Sequence, residues 1–254
     1  MIMLKEITKK LEQIEKEERV KILYAAESGS RAWGFASPDS DYDVRFIYLR
    51  EKEFYLKLEK TRDVIELPIN DVLDINGWDF QKALRLLHTS NPTLFEWSNS
   101  SVVYKTTPFF EDFRKLINDY FKAKAGLYHY LNTAANNYRE YLKGDFVKAK
   151  KYFYVIRPIL ACKWILKENT PPPMLFTDLI DSVLEDDLKP VVSELLDMKM
   201  ALPEIGQIPK IDKLNCYIEE NLIRLKQLID DLPSSEEQGF ERLNKIFLEA
   251  LELE

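Results

Sequence analysis

Asp41 and Asp43, two residues apart, lead into the largely apolar run Val44 to Tyr48. On an extended strand alternate side chains share a face, so both carboxylates point the same way. Two hard oxygen donors on one face can hold Mg²⁺. Upstream stands Ser28-Gly29-Ser30-Arg31-Ala32-Trp33-Gly34. Gly29 allows close backbone approach, and the Ser30 hydroxyl with nearby N–H groups can bond phosphate oxygens, especially where a helix starts. A phosphate-holding turn joined to a metal-spaced carboxylate pair is equipment for in-line displacement at phosphorus, in which two metal ions stabilise the attacking and leaving oxygens. The plainer reading is a polar loop, Ser37-Pro38-Asp39-Ser40-Asp41, before an ordinary strand.

The whole run Gly29-Ser30-Arg31-Ala32-Trp33-Gly34-Phe35-Ala36-Ser37-Pro38-Asp39-Ser40-Asp41-Tyr42-Asp43-Val44-Arg45 resembles the DNA polymerase beta-like nucleotidyltransferase superfamily. Within it, the run looks like a bacterial branch of nucleotidyltransferases associated with RNA repair. The resemblance implies an α+β fold, with a small mixed-sheet catalytic domain over 1–105 and an all-helical domain over 106–254 as the other wall of a cleft. It implies transfer of a nucleoside monophosphate from a nucleoside triphosphate, ATP being the one expected, to an acceptor hydroxyl with release of pyrophosphate. Asp41, Asp43 and a third acid would bind two Mg²⁺ ions, while Gly29, Ser30 and Arg31 would hold the triphosphate. The acceptor is left open among an RNA end, a protein hydroxyl and a small molecule. Arg31 and Arg45 contact phosphate or pair with the acidic cluster, and the motif does not choose between these.

The third acid is to be sought in the stretch from Arg62 to Asp79. Asp74 stands between Leu73 and Ile75, the context of an acid on a core strand, just before a helix expected to begin near Trp78. The family resemblance places its third acid there. Glu66, between Ile65 and Leu67, is the alternative. Asp63 and Asp71 fit strand or turn ends, and Asp79 fits a helix N-terminus. On that helix Phe80, Ala83, Leu84 and Leu87 form one apolar stripe. Lys82, with Asn91, Pro92 and Glu96, stands where the branch has familiar residues, so it approaches the triphosphate or is a solvated lysine.

Two other phosphate or metal motifs fail. Gly29 and Gly34 begin a P-loop pattern, but Phe35 and Ala36 occupy the Lys and Ser/Thr positions. Asp39, Asp41 and Asp43 begin an EF-hand pattern, but Val44 replaces its glycine and Arg50 its bidentate glutamate.

The elements that must position these residues follow from periodicity. Residues 4–20 carry Ile7, Leu11 and Ile14 at helical spacing, and Val20 to Ala26 reads as a buried strand ending at the Gly29 turn. Val44 to Leu49 is the strand bearing the carboxylates. After Pro108 long helical patterns take over: 109–142, 146–167, 176–184, 188–200, 213–232 and 235–253, the last with Ser235 and Gln238 as a capping box. The aromatics of 109–142 read as core rather than a stacking platform. Lys150, Tyr154 and Arg157 recur at helical spacing with Lys151 beside them, a basic face that resembles the same branch. Lys151 and Arg157 are therefore expected to contact nucleotide, against a plain solvated face as the alternative.

Composition bounds the rest. The 254 residues are 46% hydrophobic with a net charge of −7, enough for a sizeable core and unfavourable to binding nucleic acid over the whole surface. With two histidines and two distant cysteines, zinc modules, disulfide frameworks and Ser-His-Asp catalysis are unsupported. No apolar run is long enough to span a membrane and no signal-peptide pattern opens the chain, so a cytoplasmic protein is expected. Two other function classes stay open: a transferase that adenylylates a protein, and a non-catalytic nucleotide-sensing or interaction protein on the same scaffold.

Overall fold

The computed structural model describes residues 2–68, 72–201, 206–233 and 238–253. In chain order the elements are α1 (Ile2–Glu18), β1 (Val20–Ser28), α2 (Gly29–Ala32), β2 (Tyr42–Arg50), α3 (Lys52–Tyr55), β3 (Val64–Glu66), β4 (Leu73–Asp79), α4 (Phe80–His88), α5 (Pro92–Ser98) and β5 (Val103–Thr106). They continue with α6 (Pro108–Ile117), α7 (Ala123–Tyr141), β6 (Phe146–Lys148), α8 (Lys150–Glu168), α9 (Phe176–Val183), α10 (Lys189–Ala201), β7 (Gln207–Pro209), α11 (Asp212–Asp230) and α12 (Glu241–Ala250). The chain is α+β. It divides into two compact units, one of 1–32, 41–120 and 237–254, the other of 33–40 and 121–236.

The first unit is built on a five-stranded mixed sheet ordered β3-β4-β2-β1-β5. β2 and β4 run parallel, while β1 pairs antiparallel with both β2 and β5. β1 is apolar and buried almost throughout, as a central strand covered on both faces must be. Ile7, Leu11 and Ile14 of α1 pack on Ile22, Val44, Phe46 and Ile75. Burying each such side chain stabilises the fold by about 2 kcal/mol. Gly77 of β4 lies opposite Phe46 of β2, and a Cβ there would stand 2.2 Å from the Phe46 ring. That glycine is what lets the ring lie across the neighbouring strand. α4 starts later than its sequence suggests, because Gly77, Trp78 and Asp79 complete β4. Asp79 is then the N-cap of α4, accepting from Gln81 N at 2.8 Å. Asn91 caps α5 with Pro92 in its first turn, as the Asn-Pro pair predicts. Within this unit α12 packs Phe247 against Tyr55 and Phe80.

The second unit has a core of α7, α8, α9 and α11 side chains around Phe153, Ile156, Leu160 and Ile218. Phe35, from the short segment 33–40, is 2% exposed, its ring tilted against Phe153 and edge-on to Phe176 with centroids 5.1 and 5.4 Å away. Its carbonyl accepts from the Lys199 ammonium at 2.9 Å.

Two helices differ from their sequence reading. The single helix expected over 109–142 is two, parted by a 3₁₀ turn at Asn118–Tyr120. Asp119 in that turn accepts from Arg242 and Gln238 at 2.9 Å each, contacts distant in sequence that local periodicity does not carry. Phe146, Val147 and Lys148, expected in a helix, instead pair with Gln207–Pro209 in a two-stranded ribbon. The last helix begins at Glu241, and Ser235 of the expected capping box lies outside the described residues, as does Asp71. Both cysteines are free thiols, Cys162 buried and Cys216 exposed. Among the described residues no helix is long and apolar enough to cross a membrane.

Candidate nucleotide site

β1 ends at Ser28, and the chain turns through Gly29 with φ of +61° into a single helical turn containing Ser30 and Arg31. That backbone angle favours glycine, and packing demands it as well. A Cβ built on Gly29 would fall 2.1 Å from Asp43 Oδ2. Ser28 and Asp43 are partners across the β1–β2 ladder, so the turn is laid directly against the strand carrying the acids. Arg31 fastens the two ends of the motif: its Nε donates to the Asp41 carbonyl at 3.0 Å, and its guanidinium lies 3.7 Å over the Tyr42 ring.

Asp43 and Asp74 are register partners on the parallel strands β2 and β4. One guanidinium nitrogen of Arg45 joins them, 3.0 Å from Asp43 Oδ1 and 2.7 Å from Asp74 Oδ2. The other donates to the Asp74 carbonyl at 2.9 Å. Arg45 therefore pairs with the acidic cluster. Burial pushes the Asp43 carboxyl above its ordinary value; Arg45 pulls it down, and Asp74 and Asp41 push it up. Asp41, exposed just before β2, thus lies within electrostatic reach of Asp43. Glu66 is elsewhere engaged, with Arg62 and with Asn76 Nδ2 at 3.2 Å on edge strand β3. The structure brings Asp74 to Asp43 and leaves Glu66 apart.

Glu27 is a member of this cluster that the sequence reading passed over. It is fully buried. Its Oε1 accepts from the Asp43 backbone N–H at 2.8 Å and its other oxygen from the Tyr104 hydroxyl. Burial pushes its carboxyl up, against the pull of those two hydrogen bonds. The available signal was an acid inside an otherwise apolar strand, Ala25-Ala26-Glu27.

Lys82 is not gathered with the carboxylates. Lys82 pairs with Asp63 Oδ1 at 3.1 Å, and the Asp63 carbonyl accepts from Asp79 N. This is the far end of β4, five residues from Asp74, or about 16 Å at strand rise. Lys82 is held there because α4 starts only where β4 stops. Lys151 and Arg157 belong to the second unit. The Lys151 ammonium lies 3.6 Å over the Tyr141 ring and 5.1 Å from that of Tyr154, and burial lowers its pKa. Arg157 is 3% exposed, stacked 4.6 Å over Trp33 with a nitrogen 3.7 Å from the Met174 sulfur. It is a packed core cation rather than part of an open basic face.

Among the described residues no three His, Cys, Asp or Glu side chains are already grouped as a self-contained metal site. The donors nevertheless suit magnesium carried in with a nucleotide. Mg²⁺ usually takes one or two carboxylates and completes its shell with substrate phosphates and water. Asp43 and Asp74, all oxygen donors on adjacent strands with Asp41 nearby, supply that number.

A mixed sheet that sets a glycine turn against in-register acids on neighbouring strands is the frame of a polymerase beta-like nucleotidyltransferase. The chain belongs to the RNA repair pathway DNA polymerase beta family, RlaP, whose model matches residues 3–249. It is 47% identical over 248 residues to the uncharacterized protein YcgL of Bacillus subtilis (strain 168), covering 97% of this chain and 95% of that one. The crystal structure of a nucleotidyltransferase-like protein from Exiguobacterium sibiricum 255-15 aligns over 96% of this chain and 89% of its own, at 14% identity and a TM-score of 0.31.

Proposed function

We propose that the protein is a magnesium-dependent nucleotidyltransferase that moves a nucleoside monophosphate, AMP from ATP in the first instance, onto an acceptor hydroxyl. The observation that carries this reading is the register pairing of Asp43 with Asp74 beside the Gly29 turn. Asp41, Asp43 and Asp74 would hold two Mg²⁺ ions. When bound, these supply charge neutralisation on the triphosphate and on the attacking and leaving oxygens. The backbone of Gly29 and the hydroxyl of Ser30 present hydrogen-bond donors to the phosphates, and Arg31 keeps the turn fastened to the strand. The acceptor oxygen bonds to the α-phosphorus, the bond from that phosphorus to the bridging oxygen breaks, and pyrophosphate leaves. The acceptor's proton passes to a carboxylate of this group. An RNA end is the acceptor we favour, on the strength of the family description.

The experiment is pyrophosphate release with Mg²⁺ and each of the four ribonucleoside triphosphates, with and without pooled RNA. The native chain is compared with Asp41→Ala/Asp43→Ala. Release that depends on nucleotide and vanishes in the double variant supports transfer, and radiolabel then identifies the acceptor. Nucleotide binding with no release under any condition would overturn it in favour of a sensor.

A further inference from the structure

We infer that Glu27 is a positioning residue for the Asp43 carboxylate. The inference rests on the nucleotidyltransferase reading for its catalytic consequence and on geometry for its structural one. The Asp43 carboxylate lies in space that a Cβ on Gly29 would fill, 2.1 Å from Oδ2, and where the carboxylate sits depends on where the Asp43 backbone is held. The group that reaches this backbone from inside the sheet is Glu27, through Oε1 to Asp43 N at 2.8 Å.

Glu27 is itself immobilised at three further points. Its N–H donates to the Val102 carbonyl at 2.8 Å, its carbonyl accepts from Ser100 Oγ at 2.7 Å, and its second carboxylate oxygen accepts from the Tyr104 hydroxyl. Ser100, Val102 and Tyr104 all belong to the stretch leading into β5 and within it, so edge strand β5 steadies Asp43 through Glu27. A fully buried carboxylate is a poor way to gain stability, because desolvation costs it more than a neutral side chain of the same volume. What it adds is an acceptor on both oxygens, one for the amide of Asp43 and one for Tyr104.

Two near-isosteric replacements separate position from charge and from cavity. In Glu27→Gln, Oε1 still accepts from Asp43 N and Nε2 donates to the Tyr104 oxygen; in Glu27→Met the volume is filled and the acceptor is gone. In the Met variant we expect exchange of the Asp43 amide proton, followed by NMR, to quicken at least tenfold. Its kcat should fall at least thirtyfold with the KM for nucleotide within threefold of native. Glu27→Gln should restore both to within fivefold. Unchanged amide exchange in the Met variant, or Gln as damaging as Met, would overturn the inference. A native chain inactive with every nucleotide would sink the proposed function instead, and the amide exchange would still decide the role of Glu27.

Discussion

Gly29 and Asp43 compete for one space: a single methyl group on Gly29 would lie 2.1 Å from Asp43 Oδ2 and 2.9 Å from its Cγ. The turn and the acid are therefore one unit, and neither can change alone. Gly29→Ala meets this clash and a left-handed backbone angle that costs about 1–2 kcal/mol for a residue with a Cβ. We expect pyrophosphate release to fall at least a hundredfold while circular dichroism stays native; activity within threefold of native would contradict the arrangement.

Arg45 is the counter-charge of Asp43 and Asp74, with a side chain 16% exposed. Arg45→Ala leaves two half-buried carboxylates facing each other, at a cost of roughly 2 kcal/mol. Magnesium with nucleotide can replace the lost positive charge. The variant should melt several degrees below the native chain in EDTA, and the gap should narrow with Mg²⁺ and ATP. A gap indifferent to magnesium would count against metal binding by this pair.

Lys82 is tied to Asp63 at the end of β4 away from Asp74. Lys82→Ala should change the KM for nucleotide by less than twofold. A tenfold rise would mean that this lysine reaches the triphosphate after all.

Asp79 is 3% exposed, and burial raises its carboxyl above the ordinary value despite hydrogen bonds from Tyr55 and Gln81. The folded chain therefore keeps this proton to a higher pH than the unfolded chain does. Stability from the group is full below its unfolded value, about pH 4, and is lost as the pH rises through the folded value. Asp79→Asn keeps an N-cap of similar quality and removes the charge. Its stability relative to the native chain, from urea unfolding, should rise between about pH 4 and pH 7; a flat difference would exclude a raised Asp79.

The parts of this architecture that local periodicity governs were legible in the residues. The largely apolar run after Asp43 marks β2, Leu73-Asp74-Ile75 marks a core strand, and Asn91-Pro92 marks the start of α5. What escaped depends on which distant segments meet. Glu27 looks like any strand acid until Tyr104, seventy-seven positions away, closes over it. The end of β4 at which Lys82 falls is set by Gly77-Trp78-Asp79 being strand, and that in turn follows from pairing with β2 and β3. The break at Asn118–Tyr120 carries neither proline nor glycine, and its tertiary setting, Tyr120 buried and Asp119 held by Gln238 and Arg242, is what local periodicity does not carry.

The chain passes between its two units at four points, after residues 32, 40, 120 and 236. Eight residues between the glycine turn and Asp41 thus lend Phe35 to the aromatic core of the other unit. No single cleavage of the polypeptide yields two intact halves: a fragment of 121–236 lacks the ring that fills its own core, and one of 1–120 carries that ring with nothing to bury it. Fusion and truncation of this chain are therefore constrained by the spacer between Gly29 and Asp41, whose length and aromatic content cannot be varied as if it were an idle surface loop.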